Sequence, residues 1–101
     1  AGIYSIPHEK ILAFEKDKRK VVVLTSAGKD YSFYGKFEDF MEDLDENFMR
    51  CHNSIIVNVS RVEKMEKGNL FLEYGNGYII IPISRTYLKV IREVFKNRLA
   101  G

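Results

Sequence analysis

The apolar residues of this chain come in short runs, each cut off within a few residues by turn formers. Runs of that length, rich in Val, Ile, Tyr and Phe, fold as strands more readily than as helices. Candidate strands are 11–14, 20–25, 31–34, 54–57, 61–66, 70–74 and 78–83. The segments Lys16-Asp17-Lys18-Arg19, Ala27-Gly28-Lys29, Lys67-Gly68-Asn69 and Gly75-Asn76-Gly77 separate them. The pair Asn76-Gly77 predicts a type I′ hairpin, in which both central residues take positive φ. Pro82 cannot donate a ladder hydrogen bond, so the last strand is expected at a sheet edge. Ile55-Ile56-Val57 is β-branched throughout and reads as a buried strand.

Two segments have helical spacing instead. Phe37, Phe40, Met41, Leu44 and Phe48 recur at intervals of one, three and four with acids between them, which predicts a helix over about 36–47. Tyr87, Leu88, Ile91, Val94 and Phe95 predict a second helix over about 85–97, with Ser84 as its N-cap. Pattern alone thus gives a mainly β chain with two helices. The 101 residues, 46% hydrophobic, are enough for one domain over 1–101 and too few for two. No apolar run has the length of a membrane span, and no signal-peptide pattern is present. The Ala1-Gly2 start carries no methionine, which predicts a piece of a longer protein. One cysteine excludes an internal disulfide and fits a reducing, cytoplasmic compartment.

Net charge is only +2, but it is unevenly spread. Residues 36–47 hold one lysine and six acids, a charge of −5, and the remainder of the chain carries +7. The acids fit the solvated side of a helix, and their segregation would leave one face of the protein basic.

Several chemistries fall away. His8, Cys51 and His52 do not repeat at any zinc-site spacing, so no metal is expected, and nothing in the pattern asks for a cofactor. Cys51 adjoins His52, but neighbours along a strand point to opposite faces, so this imidazole is badly placed to activate this thiol. Cys51 reads as a small buried hydrophobe. No glycine-rich phosphate loop, nucleophile elbow or paired-carboxylate motif appears, and an enzyme is not expected.

In Phe48-Met49-Arg50-Cys51-His52-Asn53-Ser54-Ile55-Ile56-Val57-Asn58 a basic residue, a histidine, an amide and a hydroxyl immediately precede an apolar run that a second amide closes. The string resembles the Phe-x-Arg-x-His-x-Ser-x-x-Val-Asn signature of the LytTR family of DNA-binding domains in bacterial response regulators. Other landmarks of that family have counterparts in order: Ile11-Leu12-Ala13-Phe14-Glu15, Phe33-Tyr34-Gly35 and Ile83-Ser84-Arg85. Together they cover about residues 6–98, and Arg50 to Ser54 looks especially like the AgrA-type branch, which controls virulence genes in Gram-positive bacteria.

The resemblance implies short, mostly antiparallel strands in small stacked sheets. It maps Asn53 and Arg85 onto base-contacting positions. A planar amide matches one base edge, and a guanidinium matches two acceptors on guanine. Without the resemblance, Asn53 would read as a turn former and Arg85 as an exposed residue opening a helix. Lys20 stands opposite a third base-facing position that can be histidine in the branch; lysine keeps a donor but loses the planar ring, which favours phosphate. Backbone contacts fall to Lys18, Arg19, Arg50, His52, Ser54, Ser84, Thr86 and Lys89, with hydroxyls and amides at a helix start suited to phosphate. Arg50, His52 and Ser54 match the signature too, and at least one of them is expected to tie the loop together. Asn58 is expected to bond a turn backbone. In the branch the equivalent of Cys51 can pair with a cysteine aligned to Ile80, so that redox switch is not carried over.

The implied partner is double-stranded DNA with tandem direct repeats, bound by two copies side by side that are monomers as isolated domains. A receiver domain would precede the segment, and RNA polymerase is a further implied partner; no membrane is involved. The rival readings are a β-rich module that binds a protein or ligand, and an RNA binder. RNA binding usually displays aromatics for stacking, whereas most of the aromatics here fall at core spacings.

Overall fold

Every residue of Ile55–Asn58 is buried, as are the first four of Ile11–Asp17. Strands without the usual alternation are covered on both faces, and this pair forms the centre of the molecule. The computed structural model describes residues 5–100, with side chains described to residue 98. Strands β1 (Ile11–Asp17), β2 (Lys20–Thr25), β3 (Asp30–Tyr34), β4 (Phe48–His52) and β5 (Ile55–Asn58) make one sheet in the order β3-β2-β1-β5-β4. Strands β6 (Val62–Glu66), β7 (Asn69–Tyr74) and β8 (Gly77–Pro82) make a second, in sequence order. All pairings are antiparallel. Helix α1 (Arg85–Ala100) follows.

One face of the larger sheet packs through Leu12, Leu24, Cys51, Ile55 and Val57 against Leu70, Leu72 and Ile81 of the smaller sheet and Ile91 of α1. The opposite face presents Phe14, Val21, Val23 and Ile56 to Phe37, with Phe40, Met41 and Leu44 packed around them. The sheets also meet backbone to backbone. The Gly75 amide donates to Ser26 O at 3.0 Å, and a Cβ on Gly28 would lie 3.0 Å from the Gly75 Cα. Both glycines have positive φ (80° and 60°), so this junction has no room for a side chain and disfavours one on backbone grounds.

The stacked antiparallel sheets and the C-terminal helix agree with expectation, and β8 is an edge strand as Pro82 requires. Three details differ. The helix expected over 36–47 is two 3-10 turns, Phe37–Asp39 and Met41–Asp43, broken at Phe40 (φ −141°, ψ −7°). The Asp39 carboxylate accepts the Lys36 amide at 3.0 Å, closing a tight turn, and the crowded acids give an α-helix little support. The apolar side chains still reach the core. Phe48 belongs to β4, a strand that alternation does not reveal. Finally, the β7–β8 loop is centred on Gly75-Asn76, one residue earlier than expected; Gly75 supplies the positive φ and Gly77 already pairs with Tyr74. Glycine at the first central position is the type II′ preference.

Asn58, 1% exposed, bonds the backbone of the turn that follows it, as expected, and also ties that turn to the start of β1. Its Nδ2 donates to Ile11 O at 2.9 Å, and its Oδ1 accepts from the Ser60 amide at 3.1 Å and the Ser60 hydroxyl at 2.6 Å. Asn58→Ala removes these bonds, including the donor to the buried Ile11 carbonyl, and is expected to cost about 1–3 kcal/mol. Exposed Lys89→Ala should stay within about 0.5 kcal/mol. Urea unfolding midpoints decide; equal midpoints for the two variants would remove Asn58 from the fold's polar framework.

Candidate nucleic-acid interface

The register of the larger sheet gathers separate loops at one end. Asp17 pairs with Lys20, Lys20 with Tyr34, Glu15 with Ile55, and Ile55 with His52. The β1–β2 turn (Lys18-Arg19), the end of β3 and the β4–β5 turn (Asn53-Ser54) therefore lie along the same edge. The Lys16 amide donates to Ser54 O at 2.8 Å and fastens the two turns together.

The start of α1 joins them through a bulge. Arg50 pairs with Ile56 and His52 with Ile55, so Cys51 is an extra residue in β4. A bulged residue leaves the ladder and turns the strand. Here it sends the Cys51 side chain inward, 0% exposed, and directs its carbonyl to the Ser84 amide at 2.9 Å. Ser84 O then accepts from the Tyr87 amide at 3.0 Å, opening the helix at Arg85. At the other end of the helix, Arg98 Nη2 donates to Asn47 Oδ1 at 2.6 Å, so α1 runs antiparallel to β4.

Among the residues singled out from sequence, Lys18, Arg19, Lys20, Asn53, Arg85, Thr86 and Lys89 are exposed, and Ser54 and Ser84 are half-buried. The three segments that carry them converge. His52 Nδ1 accepts the Ser54 amide at 3.1 Å, which leaves the neutral ring's proton on Nε2 and locks the turn that presents Asn53. Arg50 is set apart: its guanidinium lies 5.1 Å from the centre of the Phe37 ring, and its Nε is buried without a hydrogen-bond partner among the described residues. Lys18 has φ 59°, a left-handed conformation that a non-glycine residue adopts at a cost. Lys20 Nζ sits over the Tyr34 ring, 5.1 Å from its centre.

The charge segregation holds in part. The acidic segment crosses the face of the larger sheet: Asp45 O accepts the Phe48 amide at the far end, while Asp39 lines a shallow cleft with Lys16, Lys18, Arg19, Tyr34 and Lys36. Periodicity does not single out Lys16, Tyr34 or Lys36. Their signal is the hairpin register, which a two-residue turn at Lys18-Arg19 would have supplied.

A family model described as the LytTr DNA-binding domain matches residues 1–96. The Accessory gene regulator protein A of two Staphylococcus epidermidis strains is 27% identical over 73 residues, covering 71% of this chain and 30% of that protein. The chain thus spans about 30% of the length of the curated relatives it matches. Among solved structures, the LytTr DNA-binding domain of a response regulator from Bacillus cereus superposes with a TM-score of 0.70 at 25% identity, covering 88% of this chain and 84% of that one.

Burial pushes the Cys51 thiol up from about 9 to about 12. The folded state therefore holds the thiol proton more tightly than the unfolded chain does. Stability from the neutral thiol is complete below pH 9 and declines as pH rises toward 12. At neutral pH the native thiol is expected to resist iodoacetamide and mild peroxide and to react readily in urea. Alkylation followed by intact mass tests this, and native labelling as fast as unfolded labelling would contradict the buried placement.

Proposed function

The chain belongs to the LytTR family of DNA-binding domains, and from that premise we propose that it is the output domain of a two-component response regulator, recognising tandem direct repeats in promoter DNA. The observation that carries this reading is the convergence of three segments, residues 18–20, 53–54 and 84–86, at one end of a rigid β scaffold. Loops held by ladders and by the Cys51–Ser84 hydrogen bond can reach DNA without an inserted recognition helix.

In this reading Asn53 and Arg85 contact bases. Lys18, Arg19, Lys20, Ser54, Ser84, Thr86 and Lys89 meet the backbone, and His52 and Arg50 hold the turn and strand that present them. Two copies occupy adjacent repeats, and phosphorylation of a receiver domain elsewhere in the protein favours that pairing by dimerisation. Contact with RNA polymerase would follow in the cytoplasm. Among the described residues no helix is long and apolar enough to cross a membrane.

A second reading, a protein-interaction module, draws on the outward face of the smaller sheet, where Tyr78 and Ile80 are 61% and 56% exposed. A gel shift of the purified protein on a direct-repeat promoter fragment against an unrelated duplex separates the two. Equal binding to both duplexes would overturn the sequence-specific reading, and binding to neither would overturn the DNA reading itself.

If several of these cations neutralise phosphates, log affinity should fall linearly with log salt, with a slope of about −4 to −6. Affinity that barely responds to salt would contradict a basic contact face. Arg85→Ala and Asn53→Ala are each expected to cost about 1–3 kcal/mol on the preferred duplex and much less on random DNA. Lys89→Ala should weaken both alike. Fluorescence anisotropy titrations give the ratios, and an unchanged ratio for Arg85→Ala would remove it as a base reader.

A further inference from the structure

Tyr34 is the most exposed of the large hydrophobic residues singled out by their exposure, at 75% against 61% for Tyr78 and 56% for Ile80. It closes the edge strand β3, directly opposite Lys20 at the start of β2. The Gly35 amide donates to Arg19 O at 3.1 Å, so the end of this hairpin is fixed. The Lys20 ammonium lies 5.1 Å from the ring centre, within the roughly 6 Å reach of a cation–π contact. Lys18 and Arg19 line the same cleft, and Lys16 and Lys36 line the adjoining one, with Asp17 and Asp39 as the acids.

We propose that Tyr34 is a positioning residue whose ring holds the Lys20 ammonium for a DNA phosphate, making this hairpin a backbone clamp. A lysine leaning on the ring cannot extend its four-carbon stem to a base edge at the floor of a groove. What it offers is a point charge with three donors, which suits a phosphate. The ring also reduces the freedom that a solvated lysine would lose on binding. The footprint on DNA then extends beyond the three segments to the end of β3. This inference rests on the DNA-binding reading above.

The test uses fluorescence anisotropy with a fluorescein-labelled random-sequence duplex, which reports backbone contacts without an operator. Tyr34→Ala and Lys20→Ala are each expected to weaken binding about two- to fivefold, the range of an exposed cation–π contact. Each should make the salt slope shallower by about 0.9, one phosphate fewer. The double variant should show no further loss, and Tyr34→Phe, which keeps the ring, should restore affinity and slope. Unchanged urea midpoints would show that the losses are not losses of fold. A Tyr34→Phe defect as large as that of Tyr34→Ala would assign the effect to the hydroxyl and overturn the proposal. So would additive losses in the double variant, or a Lys20→Ala loss confined to a preferred duplex. Wild-type protein that binds no duplex would overturn the DNA reading itself, and the clamp with it. Wild-type binding with Tyr34→Ala unaffected would overturn the clamp alone.

Discussion

The carbonyl of Cys51 sets the spacing between the two halves of the candidate interface. In an unbulged β4 that carbonyl would stay in the plane of the sheet, and Ser84 would have no fixed partner there. One extra residue turns the thiol inward, turns the carbonyl outward, and anchors the first turn of α1 beside the Asn53-Ser54 turn. The same residue thus contributes to the core through its side chain and to the interface through its backbone. Thiol burial and helix placement are consequences of one local irregularity.

Burial on both faces makes this arrangement stiff. The larger sheet is covered on one side by the smaller sheet and α1, and on the other by the Phe37–Leu44 segment. A β scaffold of this kind can afford short turns at its end, because their geometry is dictated by ladders rather than by the turns themselves. Preorganised contacts of that sort lose little freedom when a partner docks. The DNA-binding family to which the chain belongs, and a reading through loops, are therefore physically compatible without a helix in the groove.

The strands were legible where burial and sequence period agreed. Val21-Val22-Val23-Leu24 and Ile55-Ile56-Val57 could hardly be anything else, and Pro82 marked an edge. β4 was not legible, because the bulge at Cys51 destroys the alternation that reveals a strand. The segment 36–47 misled in the opposite way: spacings of three and four look helical, yet i to i+3 neighbours serve 3-10 turns as well, and the Asp39 cap selects the tighter form. For the candidate site, Arg50, His52, Asn53 and Ser54 stood out as mixed donors set directly before an apolar run. What they could not show was division of labour. Arg50 is engaged with Phe37 and His52 with a turn amide, both decided by register and packing. Tyr34 was hidden for the same reason, since an aromatic in a strand reads as core until its partner across the hairpin is known.

Among the described residues, the only two non-glycine positions with positive φ are Lys18 and Lys67, at 59° and 50°. Both occupy hairpin tips, and the second tip is held close to the start of α1 by the hydrogen bond from the Ile83 amide to Gly68 O at 2.9 Å. Glycine at either place would relieve on the order of 1 kcal/mol of backbone strain. It would also delete a positive charge from the end of the molecule where cations gather. Any search for a sturdier version of this chain would therefore be drawn first to two substitutions that strip that end of its charge.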